Sequence, residues 1–171
     1  MSFRTKEFLV PSPLESGRLK IEYRPAENSD APALVTIRAA FWADQISRGS
    51  LDYPDLEPNK FLTDTHFLIN RARTTIILAA EGIKVIAYAV GQTKILPGQG
   101  TMVSSIEEVY VDPHYRRSAV AQQLVMMMMV QFKNLGAKRV QLRVLDRNES
   151  AKAFWQEVGF SPSVVIYEYL A

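Results

Sequence analysis

Val111-Asp112-Pro113-His114-Tyr115-Arg116-Arg117-Ser118-Ala119-Val120-Ala121-Gln122-Gln123-Leu124 is the stretch whose reading decides the fold. It reads as a strand end, a sharp turn and a helix start. Backbone N–H groups in the first turn of a helix have no partner within it, so they form a ready anion site. Small side chains let a phosphate approach such a backbone closely. Arg116 and Arg117 add charge and fork-shaped donors. The combination points to a pyrophosphate-bearing ligand, against the plainer reading of a solvated turn.

Outward from this stretch, the chain falls into short alternating elements. Met1 to Gly17 contains Pro11, Pro13 and Gly17 and reads as a tail or an added edge segment, with residues 1–18 outside the main domain. Leu19 to Arg24 alternates like a strand. Ser29 or Asp30 is placed to cap the next helix, with Pro32 in its first turn and Leu34, Ile37 and Phe41 on its apolar face. Ser47 to Pro58 reads as a loop. A second helix is expected over Asn59 to Arg71, with Leu62, His66 and Ile69 on one stripe. Thr74 to Ala80 and Lys84 to Gly91 are strands around the Glu81-Gly82 turn. Ser104 to Val111 is the strand entering the decisive turn.

The helix that follows is expected from Ala119 to Leu135, ended by Gly136. Val120, Leu124, Met128, Phe132 and Leu135 make one stripe, and Val125, Met126, Met129 and Val130 spread apolar surface further, which implies a buried helix. The run Met126 to Met129 reads as core filling rather than a metal site. A strand through Val140, Leu142 and Val144, a short helix over Ser150 to Val158 and a final strand over Val164 to Leu170 complete the pattern. His66 reads as packed or hydrogen-bonded, and His114 as exposed.

These elements resemble the GNAT superfamily of acyl-CoA-dependent N-acetyltransferases. The family's loop, Arg/Gln-x-x-Gly-x-Gly/Ala after a strand ending in Val-x-Pro, is matched by Arg116-Arg117-Ser118-Ala119-Val120-Ala121 after Val111-Asp112-Pro113. Arg24-Pro25-Ala26 with Asp30 looks like its first strand and helix start. Glu81 to Ala89 looks like its central hairpin. Asn148-Glu149-Ser150-Ala151, Phe154-Trp155 and Gly159-Phe160 look like its closing Asn-x-x-Ala-x-x-Phe-Tyr-x-x-x-Gly-Phe motif. The resemblance implies an α/β fold over residues 19–171, a single domain whose mixed, mostly antiparallel sheet is flanked by helices. It implies acetyl transfer from acetyl-CoA to a primary amine.

Residue by residue, the resemblance assigns the pantetheine arm to the backbone of Val109, Tyr110 and Val111. It assigns the pyrophosphate to Arg116, Arg117, Ser118, Ala119, Val120 and Ala121, with Asn148 and Phe154 near the arm. Asn148 is also a helix cap by its own chemistry. An acidic residue on the strand often acts as base, and Glu107 matches that position. Alternation sends Glu107 and Glu108 to opposite faces and puts Glu107 on the face of Ser105 and Val109. The competing reading of Glu107 is a solvated or salt-bridged surface charge. Two positions depart from the pattern. Ala119 stands for the family's first glycine, and its methyl group narrows the phosphate cradle. Trp155 stands where many relatives carry a tyrosine, and indole cannot protonate a thiolate at neutral pH. The two departures keep an alternative open: a catalytically degenerate acyl-CoA-binding or regulatory protein on the same fold.

Composition narrows the rest. A chain of 171 residues with 47% hydrophobic residues suffices for one core. Its formal net charge is +2, which gives no support for a nucleic-acid partner. Without cysteine there is no disulfide, thiolate metal site or cysteine nucleophile. No His-Glu-x-x-His site occurs and no metal is expected. A nucleotide-binding rival fold lacks both Gly-x-x-x-x-Gly-Lys-Ser/Thr and Gly-x-Gly-x-x-Gly. No apolar run spans a membrane, so a cytoplasmic protein, monomeric or homodimeric, is expected. The resemblance places the acceptor, a small-molecule or peptide amine, between the Ser47–Pro58 loop and the Lys94–Thr101 turn. Asp52, Asp55 and Glu57 make that loop acidic, which suits a cationic amine, against the plainer reading of a solvated loop.

Overall fold

The computed structural model describes residues 20–50, 53–98 and 100–167. Five strands form one sheet in the order β1-β2-β3-β4-β5. They are β1 (Ile21–Pro25), β2 (Thr74–Glu81), β3 (Lys84–Ile95), β4 (Met102–Val111) and β5 (Arg139–Leu142). The first three pairings are antiparallel and β4–β5 is parallel. Helices α1 (Ala31–Ser47) and α2 (Pro58–Asn70) cover one face. Helix α3 (Val120–Asn134) covers the other, and α4 (Glu149–Glu157) follows β5.

The strands at the centre are apolar on both faces, as a sheet covered by two helical layers requires. Ile77, Ala79, Ile86, Ala87 and Ala89 meet Leu124, Val125, Met128 and Phe132 of α3. Ile76, Leu78, Tyr88 and Val90 meet Leu34, Ile37 and Phe41 of α1 and Leu68 of α2. Each fully buried aliphatic or aromatic side chain contributes about 1.5–3 kcal/mol through area removed from water. Gly91 is needed where α3 crosses β3. A Cβ there would lie 2.4 Å from both Met128 Cε and Phe132 Cζ and 2.8 Å from the Ser105 carbonyl oxygen.

Several expectations shift. Helix α2 turns Phe61, Thr65 and Leu68 inward, and His66 is exposed rather than packed. Helix α3 buries one stripe only; Met129 and Val130 are exposed, as is Leu135 just beyond the helix. Met128 is fully buried and Met127 packs on the same core, so core filling holds for those two. Asp30 precedes α1 but its carboxylate does not cap it. Both oxygens are taken by Arg24 at 2.7 Å, and one also accepts the Glu27 N–H. Val164 to Tyr167 is not in a strand and is exposed, and residues 168–170 of that expected element lie outside the described residues, as do the expected tail 1–18, Asp52 and Gln99.

Candidate active site

Strand β4 runs ten residues, but β5 pairs with it only from Val103↔Arg139 to Ile106↔Leu142. Beyond Ile106 the two strands part. Glu107, Glu108, Val109, Tyr110 and Val111 therefore have no strand neighbour on the β5 side among the described residues. Apart from the Val111 carbonyl, which Arg116 engages, their backbone groups on that edge have no backbone partner among the described residues. The fork forms beside the decisive turn.

That turn leaves β4 through Asp112, whose carboxylate accepts the His114 N–H at 3.0 Å. The same carboxylate meets the His114 ring at 2.9 Å and Lys84 at 3.0 Å. The His114 N–H, the His114 ring and Lys84 together hold the Asp112 carboxyl down to about 2. Arg117 and Ala119 both take positive φ, 61° and 60°. Such left-handed residues curl successive N–H groups into an anion-binding concavity. The first helical bond runs from Gln123 N–H to the Ala119 carbonyl. The N–H groups of Val120, Ala121 and Gln122 thus head α3 without a helical partner. Ala119 is exposed and takes a conformation that favours glycine. The family's glycine at this place therefore has a backbone reason beside the steric one.

The other turn residues are less alike than the sequence suggested. Ser118 Oγ donates to the Tyr115 carbonyl and ties the turn. Arg116 folds back: its Nε donates to the Val111 carbonyl at 3.1 Å, and its guanidinium lies 5.6 Å from the Tyr110 ring centre. Arg117 is exposed and makes no hydrogen bond or ion pair among the described residues. Following β5, buried Asn148 caps α4 by accepting the Ala151 N–H at 3.2 Å and the Ser150 hydroxyl at 3.0 Å. Phe154 is half-buried and packs edge-on against Trp155, which in turn meets Phe160.

The glutamates overturn the expected alternation. Val90 pairs with Glu108 and Gly91 with Ile106, so Glu107 is an extra residue in a β-bulge. Glu107 stays with Ser105, whose hydroxyl donates to its Oε1 at 3.3 Å. Val109 packs instead into the core on the α3 side. Glu108 turns toward α1, so the bulge removes the alternation that would have separated the pair. Glu107 is exposed, and Glu108 is 6% exposed.

Glu108 belongs to a buried network the sequence did not reveal. Arg38 on α1, 3% exposed, donates to both Glu108 oxygens, at 3.1 Å from Nε and 2.9 Å from Nη2. Its Nη1 donates to Thr65 at 2.8 Å and Asp64 at 3.2 Å. The Tyr88 hydroxyl donates to Glu108 Oε2 at 2.8 Å. Burial alone would lower the Arg38 pKa, but the Glu108 carboxylate outweighs it and holds the guanidinium charged. Burial, reinforced by the Glu108 charge, pushes the Tyr88 hydroxyl well above its ordinary value. The one sequence signal was an arginine beside the apolar stripe of α1.

The expected acidic loop is largely committed to local structure. Glu57 caps α2 by accepting the Asn59 and Lys60 N–H groups, and Asp55 pairs with Lys60 at 2.9 Å. Among the described residues, no group of three or more His, Cys, Asp or Glu is arranged to hold a metal ion, and no helix is long and apolar enough to cross a membrane.

The model of the acetyltransferase (GNAT) family matches residues 34–160, and the chain belongs to that family. The fold is shared with solved acetyltransferases at low identity. An aminoglycoside N-acetyltransferase, AAC(6')-Iy, in complex with CoA is 17% identical, with a TM-score of 0.76 over 93% of this chain and 99% of that one. Aminoglycoside 6'-N-acetyltransferase AAC(6')-Ih from Acinetobacter baumannii is 22% identical, with a TM-score of 0.70 over 89% and 99%. A transcriptional regulator from Bacillus halodurans C-125 is 20% identical, with a TM-score of 0.73 over 89% and 100%. Among the curated proteins, none matches the sequence.

Proposed function

We infer that the protein transfers an acetyl group from acetyl-CoA to a primary amine, within a domain spanning residues 19–171. The observation that carries this reading is the left-handed turn at Arg117 and Ala119, heading α3 beside the open edge of β4. In this reading the pyrophosphate lies on the N–H groups of residues 118–121, with Arg117 and Arg116 beside it. The pantetheine arm runs along Val109 to Val111 as an added strand would, with Asn148 and Phe154 on the far side of the fork.

Chemistry then asks little beyond positioning. The ammonium acceptor gives a proton to Glu107, directly or through water. The neutral amine attacks the thioester carbonyl, backbone N–H groups of β4 steady the oxyanion, and the C–S bond breaks. With a thiol pKa of ~8.5, the thiolate leaves without a strong acid, and the proton that the attacking nitrogen sheds passes to it through water. This matters because Trp155 replaces the family's tyrosine and sits between Phe154 and Phe160. A second reading, a non-catalytic acyl-CoA binder, draws on that same replacement.

Aminoglycosides are the first acceptors to test, since one solved neighbour is an aminoglycoside antibiotic 6'-N-acetyltransferase and another, also an aminoglycoside acetyltransferase, holds sisomicin. Free thiol release is measured with acetyl-CoA and a panel of amines, for wild type and Glu107→Gln. Turnover by wild type, falling about 10²-fold or more in Glu107→Gln with unchanged acetyl-CoA affinity, is the expected result. The deficit should narrow at higher pH, where more acceptor is already neutral. Acetyl-CoA binding without turnover on any amine selects the binder reading.

A further inference from the structure

Strand β5 carries its charge on one face. Val140 and Leu142 pack into the core beside α3, so Arg139 and Gln141 lie on the α1 side, and the alternation of exposure continues through Arg143. The parallel pairing sets Gln141 beside Ser105, whose hydroxyl donates to Glu107. Two residues further along each strand, Glu107 and Arg143 head the two lips of the fork. Arg147 comes from the turn before α4, and a Cβ at Gly49, just past the end of α1, would lie 3.9 Å from its Nη1. Three guanidinium groups thus follow one another along the α1 side of β5 and of the opening.

Their charges lack partners. Arg139, Arg143 and Arg147 are exposed and make no hydrogen bond or ion pair among the described residues. Asp146 neighbours Arg147, but Lys152 takes its carboxylate at 2.7 Å. Charges on an edge strand also deter other chains from pairing with it. Either sign does that, whereas cations of one sign along one face repel each other. Such a row is completed by a bound anion, which guanidinium groups grip through paired N–H donors. The acidic side of the same opening is already spent. Asp44 pairs with Arg48, Asp55 with Lys60 and Asp64 with Arg38, and Glu57 caps α2. Among the described residues of α1, α2 and the loop between them, no carboxylate is left for a second ammonium group.

We propose that the acceptor is an amine carrying its own anionic group, a carboxylate or a phosphate. Its ammonium meets Glu107, and its anion meets Arg143 with Arg139 and Arg147 alongside. The proposal rests on the acetyl-transfer reading of the site and names the substrate class. Aminoglycosides, with several ammonium groups and no anion, bring the wrong sign to this face.

The test compares turnover with acetyl-CoA within pairs that differ in the anion: an α-amino acid against its decarboxylated amine, and O-phosphoethanolamine against ethanolamine. Referring kcat/KM to the neutral fraction of each amine keeps basicity from deciding the order. The anionic member should lead by about tenfold or more, the scale of one charge-assisted hydrogen bond. Sisomicin should be the poorest acceptor, and the pair with the larger lead tells carboxylate from phosphate. Arg139→Gln combined with Arg143→Gln should erase the lead while acetyl-CoA affinity stays. Equal turnover within both pairs, a faster aminoglycoside, or a lead that survives in the double variant overturns the proposal. If no amine is acetylated, the transfer reading falls, and calorimetric titration of the amino acid and O-phosphoethanolamine into the coenzyme A-loaded protein decides instead. Binding by wild type that the double variant loses upholds the anion site; no binding, or equal binding by both, overturns it.

Discussion

The 116–121 turn and the buried network below α1 lie at opposite ends of one five-residue run of β4, yet they are made in opposite ways. The turn is exposed and works through its main chain: two left-handed residues and the unpaired head of α3. The network is buried and works through side chains drawn from α1, α2, β3 and β4. A main-chain site is tolerant of side-chain identity and depends on a few conformational positions. A side-chain network has the reverse dependence. The lesson is that motifs report the first kind of site and miss the second.

The contrast predicts the largest effect in the network. Glu108→Ala leaves the Arg38 guanidinium buried and without its principal partner, and should cost about 3–5 kcal/mol of stability. Denaturant unfolding measures it, and a loss below ~1 kcal/mol would place the pair in solvent-like surroundings. At the turn, replacing Arg116 and Arg117 together with alanine should weaken coenzyme A binding about tenfold or more, roughly 1.4 kcal/mol. The single variants sharpen this. Arg117→Ala should change affinity alone, whereas Arg116→Ala should also lower stability, since Arg116 holds the Val111 carbonyl and the Tyr110 ring. Calorimetry and thermal melting read the two quantities separately.

Ala119→Gly should raise stability by up to ~1 kcal/mol, because the residue stands at φ 60° and precedes the helical positions where glycine is costly. Coenzyme A should bind as well or more tightly. A drop in the melting temperature would mean that the turn does not hold this conformation in solution. The smallest effect concerns acid. The Asp112 carboxyl is held at about 2 in the folded state, below its unfolded value of about 3.9. Its contribution is full above the unfolded value and disappears as pH falls through the folded one. Wild type should therefore lose slightly more stability than Asp112→Asn between about pH 4 and pH 2, with equal pH dependence above that window.

How much of this was legible in the sequence follows the same division. The stripes of α1 and α3, the hairpin of β2 and β3 and the decisive turn announce themselves through spacing, because each is a local pattern. The bulge at Glu107 was hidden because a single extra residue leaves no mark on composition, and period-two alternation then assigns the wrong faces. Arg38 and Glu108 are 70 positions apart, and nothing local ties them together. The Val164–Tyr167 segment fails for a related reason: its β-branched and aromatic residues suit a strand, but a strand exists only where another edge accepts it. The acidic loop misled because Glu57 and Asp55 are engaged in capping and pairing, a use that charge counting does not distinguish from attraction.

The parting of β4 from β5 has a consequence for what the protein is able to recognise. An open strand edge offers the N–H and C=O groups of every second residue, at intervals of about 6.8 Å set by the chain itself. In the proposed function it acts as a ruler: it reads the distance between amide groups in whatever lies along it and is blind to ornament elsewhere. The side chains of Val109 and Tyr110 are then answerable only to the layers packed on either face of the sheet. Their identities are free to drift while the graduations of the ruler stay in place.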